Sequence, residues 1–554
     1  MLKKLTLTLF VTLGISGCAL TPKHVTDQEQ FNNTQAHLNQ VLSDQEPVHR
    51  RLTLAQAIAR ALKYNLDHRV QQAQLMLESG SLKLAYMEML PSLNVEANYS
   101  FRNNAQIQNL VQDGQVVQGD QSFTPRRVLS QNRGLEWNML DLGLSYTRAQ
   151  QQANRIMMAV EQRRKVTQQL VQETTTAYWK AYTAQQMMNR VLRFKRKVTR
   201  ALDRSKQLTT HKVRSADIEL DYQHLLLKAI RRANELHRDI AGSRSELSRL
   251  INVKPSTPFI LVGPTRSMRN LPRITVKLQK LDLLAMIYRP ELREASYQNK
   301  ISGKDIQAAW INIFPGIKFD FGYNQTDNVF MKNSSWYGGN VNASWNLIQA
   351  VLTGPQQIRL ARRNYEFQQL KQLALTMTVL TQIRVAYHNY LLWTDDYRYA
   401  AEETRVAKKQ LRQALNLEKA SQGDQQKSIR RGIDELNIEF DRDITYAKAQ
   451  EALSKLYQAV GIDLLPSHVR SLSLKQLTQR VKLMLVSESN GMFNTVVNAR
   501  YKKLLPMLKR NQAKAAAYQK KLMKKKQLMQ KKQLKKPVKK VPVKLKTRQA
   551  IKKH

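Results

Sequence analysis

Between Leu144 and Ala241 the sequence holds neither glycine nor proline. Good helix formers fill the run, and no strong stop signal interrupts it. Its first part, to Thr210, is roughly 67 residues, which as one helix would measure about 100 Å. A helix of that length cannot be folded back into a globular core. It has to be a rod. A second run without glycine or proline spans Gln356 to Gln422. Two rods in one chain imply a duplicated architecture that covers distance.

The duplication can be followed by offset. Ala61, Tyr64 and Pro91 precede Ala285, Tyr288 and Pro315 by 224 positions. Trp137-Asn138 precedes Trp345-Asn346 by 208, and Ala177-Tyr178 precedes Ala386-Tyr387 by 209. An ordered series of matches marks an internal repeat. The drop in offset makes the first hairpin longer by about 16 residues.

Each repeat begins with a helical pattern. In the first, Leu54, Ala57, Ile58, Ala61 and Leu62 keep helical spacing until Pro91 stops the helix. The period then changes to two. Leu93, Val95, Ala97, Tyr99 and Phe101 alternate with Asn94, Glu96, Asn98 and Ser100. Alternation returns over Gln131–Met139, and again over Ile317–Asn324 and Tyr337–Leu347. These are four strands with one apolar and one polar face. The polar stretch around Asp113-Gly114 and Gly119-Asp120 reads as an exposed loop. Asp141-Leu142-Gly143 ends the second strand and opens the first rod. That rod turns near His211–Ser215, and the second turns near Gly423-Asp424.

Four strands of roughly 9–11 residues have the length that crosses a bilayer when tilted, and apolar-out, polar-in alternation is the code of a water-filled barrel. Four strands cannot close on themselves, and open edges in hydrocarbon leave backbone groups unpaired. Two copies would give eight strands, too narrow for a channel; three give twelve. No stretch is long and apolar enough for a membrane helix.

The formal charge is +48. Twenty-one of the lysines and arginines fall in residues 501–554, where there is no acid. Such a tail suits an anionic envelope polymer or lipid. The single cysteine, Cys18, excludes an internal disulfide and a cysteine-based zinc site. Lys3 and Lys4, an apolar run from Leu5 to Gly14, and Ile15-Ser16-Gly17 ahead of Cys18 resemble a bacterial lipoprotein signal. That resemblance implies cleavage before Cys18 and a lipid on it. Ala19, rather than Asp, implies sorting to the outer membrane.

The order of these features, over about residues 50 to 462, resembles the TolC-type outer-membrane efflux and secretion channels. The carrying residues are Pro91 and Pro315 ending the first helix of each repeat, the aromatic strand Trp137–Gly143, and Trp345 leading to Gly354-Pro355. The resemblance implies a mixed α/β membrane protein: a duplicated helix–strand–strand–helix repeat, a long α-helical periplasmic barrel, and four strands given to a trimeric twelve-stranded outer-membrane β-barrel. It also implies docking on a periplasmic adaptor protein and an inner-membrane pump, passive conduction, and no enzyme activity or cofactor beyond the lipid on Cys18. Residues 1–17 are then the signal peptide, 18–50 an extended leader, 51–252 the first repeat and 253–277 a proline-rich linker. The second repeat follows at 278–462, an equatorial extension at 463–500, and at 501–554 the Lys-rich tail, disordered or a loose basic helix.

The family's Asn-Pro in the first helix of each repeat is split here between Asn65-Leu66 and Arg289-Pro290. At the first periplasmic turn His211 and Lys212 replace a Gly and a small apolar residue, while Val213, Ser215 and Asp217 fit. The second turn keeps Gly423, followed by the polar Asp424. These residues are the expected adaptor-docking tips. His224 and His237 read as structural. Asp395-Asp396 and the run Asp434, Glu435, Glu439, Asp441 and Asp443 read as solvated faces or inter-helix pairs. Asp434, nearest the second turn, is the candidate for a charged gate ring. Two export chemistries fit, drug efflux and type I protein secretion. The rival reading is a non-conducting envelope tether, which has no need of polar-inside strands.

Overall fold

Asn65 and Arg289 occupy equivalent breaks in the two repeats and have nearly the same backbone, φ −62°, ψ 129° and φ −64°, ψ 126°. The sequence reaches this extended corner by two routes. Asn65 caps the following helix by accepting the His68 N–H at 3.1 Å. Pro290, at the first helical position, disfavours the helical conformation for Arg289 before it. The split Asn-Pro motif therefore builds the same corner twice.

The structure is a computed structural model that describes residues 24–534 apart from 44, 105, 114, 211–215, 255, 264–270, 421–424 and 464–471. Its elements in order are α1 (Asp27–Leu42), β1 (Arg51–Leu52), α2 (Leu54–Tyr64), α3 (Leu66–Met87), β2 (Ser92–Phe101), β3 (Gln106–Gln112), β4 (Gln115–Thr124), β5 (Arg127–Asn138), α4 (Met139–Thr210) and α5 (Ala216–Leu250). The second half has β6 (Ile260–Leu261), α6 (Leu278–Tyr288), α7 (Pro290–Ile311), β7 (Gly316–Thr326), β8 (Ser335–Ser344), a π-helical turn Gln349–Thr353, α8 (Gly354–Lys419), α9 (Gln425–Val460), α10 (Leu474–Ser489) and α11 (Met492–Leu534).

The rods are present. α4 has 72 residues and α8 has 66, so each is about 100 Å long. α5 and α9 return along them. α4 starts directly after β5, so the Asp141-Leu142-Gly143 break expected from sequence lies inside the helix.

Four strands form one antiparallel sheet in the order β2-β5-β7-β8. The helices that flank them pack in the same lateral order, α3 on α4, α4 on α7 and α7 on α8. The seam between the repeats therefore runs through β5–β7 above and α4–α7 below.

Halfway along the rods, two apolar clusters form a belt. One gathers α2, α10, the middle of α4 and the β1–β6 pair; Tyr178 reaches the carbonyls of Val262 at 2.6 Å and Leu52 at 3.0 Å. The other gathers α6, α8, α9 and α11, with the Tyr390 hydroxyl donating to the Pro272 carbonyl at 2.6 Å. Tyr390, rather than the repeat-matched Tyr387, is the fully buried tyrosine of this half. α9 ends at Gly461, φ +70°, with the Ile462 N–H donating back to the Tyr457 carbonyl.

Several expectations are corrected. The leader is not extended throughout: Thr26 caps α1 by accepting the Glu29 N–H, with Asp27 and Glu29 in its first turn. Its exposed, polar helix gives no periodic signal. The loop expected near Asp113 is a ribbon, β3 paired with β4, with Asp113 at φ +49°. The linker contributes β6, which pairs in parallel with β1. The basic tail is helical as far as Leu534, and residues 535–554 lie outside the described residues.

Candidate functional site

The sheet separates two chemistries. Asn94, Glu96, Asn132, Glu136, Lys318, Asp320, Asn324 and Asn340 line its concave face. Glu136 and Asp320 are register partners, and like charges opposite one another repel. Lys318 resolves this by placing its Nζ 2.9 Å from Glu136 and 3.5 Å from Asp320. Asn94 donates to the other Glu136 oxygen at 3.1 Å. One row along, Gly134, Gly322 and Gly338 are register neighbours across three strands. That row is bare.

The other face is apolar and uncovered. Leu93 is 73% exposed and Phe101 77%, and Leu135, Phe319, Phe321 and Val341 are exposed with them. Among the described residues no helix is long and apolar enough to cross a membrane.

The lateral edges are also unfinished. β2 and β8 each have one neighbour in this chain. Below them, α3 exposes Val70, Leu77 and Leu84, and α8 exposes Leu360, Phe367, Leu370 and Met377. Backbone and side chains are left open on the same two sides.

Lower down, ion pairs tie the two repeats together. Glu161 of α4 is 2% exposed and pairs with Arg164 and, at 3.0 Å, with Arg293 of α7. Burial raises its carboxyl above the usual carboxylate range, outweighing the two arginines. Arg164 also reaches Asp463 at 2.6 Å. Nearer the turns of the rods, Arg190 of α4 holds both Glu435 oxygens at 2.9 Å and also pairs with Glu439. Lys408 of α8 reaches Glu439 at 2.8 Å, and Arg442 reaches it at 3.5 Å. Glu435 and Glu439 are both buried. This cluster joins the α4–α5 pair to the α8–α9 pair.

Of the residues singled out in the sequence, Asp217 lies exposed in the first turn of α5. Asp434 is exposed on α9, 3.8 Å from Arg431. Cys18, His211, Lys212, Val213, Ser215, Gly423 and Asp424 lie outside the described residues. Glu435 and Glu439, read from the sequence within a run of solvated faces or inter-helix pairs, form inter-helix pairs, but their partners were not foreseen. Acids four apart on one helix face are a visible signal; a partner 245 positions away is not. The glycine row escaped notice too, because its three members lie on strands far apart in the chain.

No family model matches the sequence, and no curated protein does. Solved structures do match. The Campylobacter jejuni CmeC outer membrane channel aligns over 81% of this chain and 95% of its own, at TM-score 0.60 and 11% identity. The Neisseria gonorrhoeae MtrE outer membrane channel in its open state aligns over 76% and 94%, at 0.58 and 16%. The outer-membrane channel OprN aligns over 74% and 89%, at 0.58 and 15%. At these identities the likeness establishes the fold, which is that of the TolC-type outer-membrane channels.

Proposed function

We propose that this chain, having the fold of the TolC-type outer-membrane channels, is one third of an export channel of the outer membrane. The carrying observation is that the open edges of the sheet and the uncovered apolar edges of the helix layer coincide. One side is β2 above α3, the other β8 above α8. Joining the first side of one copy to the second side of the next satisfies both layers at once. Unpaired strand edges in lipid would otherwise cost several kcal/mol per group. Three copies supply twelve strands, with the apolar face toward lipid and the polar face around a hydrated lumen.

Substrate enters from the periplasmic end and diffuses outward, driven by an inner-membrane pump through an adaptor. The turns bearing His211, Lys212, Val213, Ser215 and Asp217, and Gly423 with Asp424, are the docking tips. The Arg190–Glu435–Glu439–Lys408 cluster keeps the two coiled pairs together when the channel is shut, and Asp434 of three copies faces the closed end. The lipid on Cys18 adds a membrane anchor. Drug efflux and type I secretion both fit this mechanism.

The test is made on the detergent-solubilised chain. Light scattering should give three copies per particle, and planar bilayers should show single-channel conductance. A monomeric, water-soluble particle with no conductance overturns the reading.

A further inference from the structure

α11 runs for 43 residues without one acidic side chain. Its first turns are rooted in the belt. Phe493, Val497 and Leu504 are buried, the Thr275 N–H donates to Asn494 Oδ1 at 3.0 Å, and Lys280 donates to Asn498 at 2.9 Å. Past that root the helix leaves the protein: every described side chain from Lys509 onward is exposed. No acid follows Glu488 in the sequence.

Three physical points say what the arm meets. First, the rest of the chain is itself basic, with 42 Asp and Glu against 90 Lys and Arg overall, of which the last 54 residues hold 21. The rods therefore repel the arm on balance, and arms of neighbouring copies repel each other. Second, the chemistry is that of a polyelectrolyte rather than a lipid-lying helix. From Lys520 to Lys532, seven of thirteen residues are lysine. The four apolar ones, Leu522, Met523, Leu528 and Met529, are spread around the helix rather than along one face. Third, depth is fixed. The neighbouring α6 holds α8 through Asp282–Arg384 at 3.4 Å. Arg384 lies thirty residues from Gly354, about 45 Å along the rod from the sheet.

We infer that α11 is a cell-wall anchor: a cationic arm that binds the carboxylates of the peptide-linked glycan layer lying between the membranes. The inference rests on the channel reading, which puts the sheet in the outer membrane and the belt at that depth. An arm that projects outward there reaches a carboxylate mesh before it reaches lipid headgroups. Its attraction is Coulombic and spread over many lysines, so it weakens as salt shortens the screening length.

The experiment sediments the full chain, in detergent, with isolated cell-wall sacculi. Binding should fall about tenfold between about 50 and about 300 mM NaCl. A variant carrying Lys520→Gln, Lys521→Gln, Lys524→Gln, Lys525→Gln and Lys526→Gln keeps the root and the helix propensity. It should lose most of the binding, as should sacculi with amidated carboxylates. Unchanged sedimentation of the variant, or of amidated sacculi, overturns the proposal. So does arm-dependent binding to vesicles of anionic phospholipid with none to sacculi. Conductance in planar bilayers separates the two readings. A variant that conducts normally but no longer sediments supports the anchor. A full chain that sediments through its arm yet never conducts overturns the channel and leaves the anchor standing.

Discussion

Gly134 and Gly322 face each other across β5 and β7, at the seam where the repeats meet. A Cβ built on Gly322 would lie 2.9 Å from the Gly134 Cα and 3.1 Å from the Arg133 carbonyl oxygen, both backbone atoms. Backbone cannot yield as a side chain does. Gly322→Val should therefore destabilise the sheet by about 1–3 kcal/mol, read as a lower thermal midpoint of the assembled particle. At Gly338 the nearest atom is the end of the Asn324 side chain, at 3.2 Å. Gly338→Ser should fold and show reduced single-channel conductance.

Among the described residues, Arg190 is the α4 partner of the buried Glu435 and Glu439. Removing one partner of a buried pair leaves the other charge uncompensated, at about 3–5 kcal/mol when nothing else remains. Lys408 and Arg442 still hold Glu439, so Arg190→Ala should cost about 2–3 kcal/mol. It should also raise the fraction of time the channel is open in bilayer recordings. Adding Glu435→Gln should recover part of the stability but not the closed state.

Glu291 gives a pH signature at the α6–α7 corner. Burial pushes its carboxyl up, but the hydrogen bond and charge of Arg289, 2.8 Å away, and the charge of Lys165 outweigh it and hold it below the usual carboxylate range. A depressed carboxyl contributes stability above its unfolded pKa and loses it as pH falls through the folded one. Acidification below about pH 4.5 should lower the thermal midpoint, and Glu291→Gln should flatten that part of the profile. Glu161, shifted the other way, disfavours the folded state as pH rises from its unfolded pKa through its raised one. Its contribution has the opposite slope, and Glu161→Gln should remove it.

Gly461 closes α9 in the left-handed region, and a Cβ there would meet the Tyr288 carbonyl at 2.7 Å. Strain and contact act together. Gly461→Ala should cost about 2–3 kcal/mol, seen as a lower denaturation midpoint.

Local chemistry wrote much of this fold plainly. The rods announced themselves through uninterrupted helix formers, and the strands through alternation. The corners at Asn65 and Arg289 were not legible, because the helical pattern runs through Asn65 to Pro91 and the split Asn-Pro pair was read only as part of one helix; the backbone angles reveal a break in each repeat. The leader helix was hidden because its stability comes from Thr26 and two acids rather than from a periodic apolar face. The ribbon β3–β4 was hidden because its Gln- and Asn-rich sequence around Asp113 shows no sustained alternation of apolar and polar residues. Of the ion-pair cluster, Glu435 and Glu439 were legible as acids for inter-helix pairs, but their partners were not. Arg190 and Glu435 are joined by packing of distant helices, and no spacing rule reaches across 245 positions.

The two unlike sides of the protomer have one last implication. A contact made from different patches on each copy does not count its members. It adds the same rotation each time, and the number in the closed assembly follows from the angle alone. The angle is set in part by how closely β5 and β7 approach, which the bare Gly134–Gly322 pair allows. A substitution that flattens this seam without harming either lateral contact should leave adhesion intact and spoil the circle, giving spirals or unclosed ribbons.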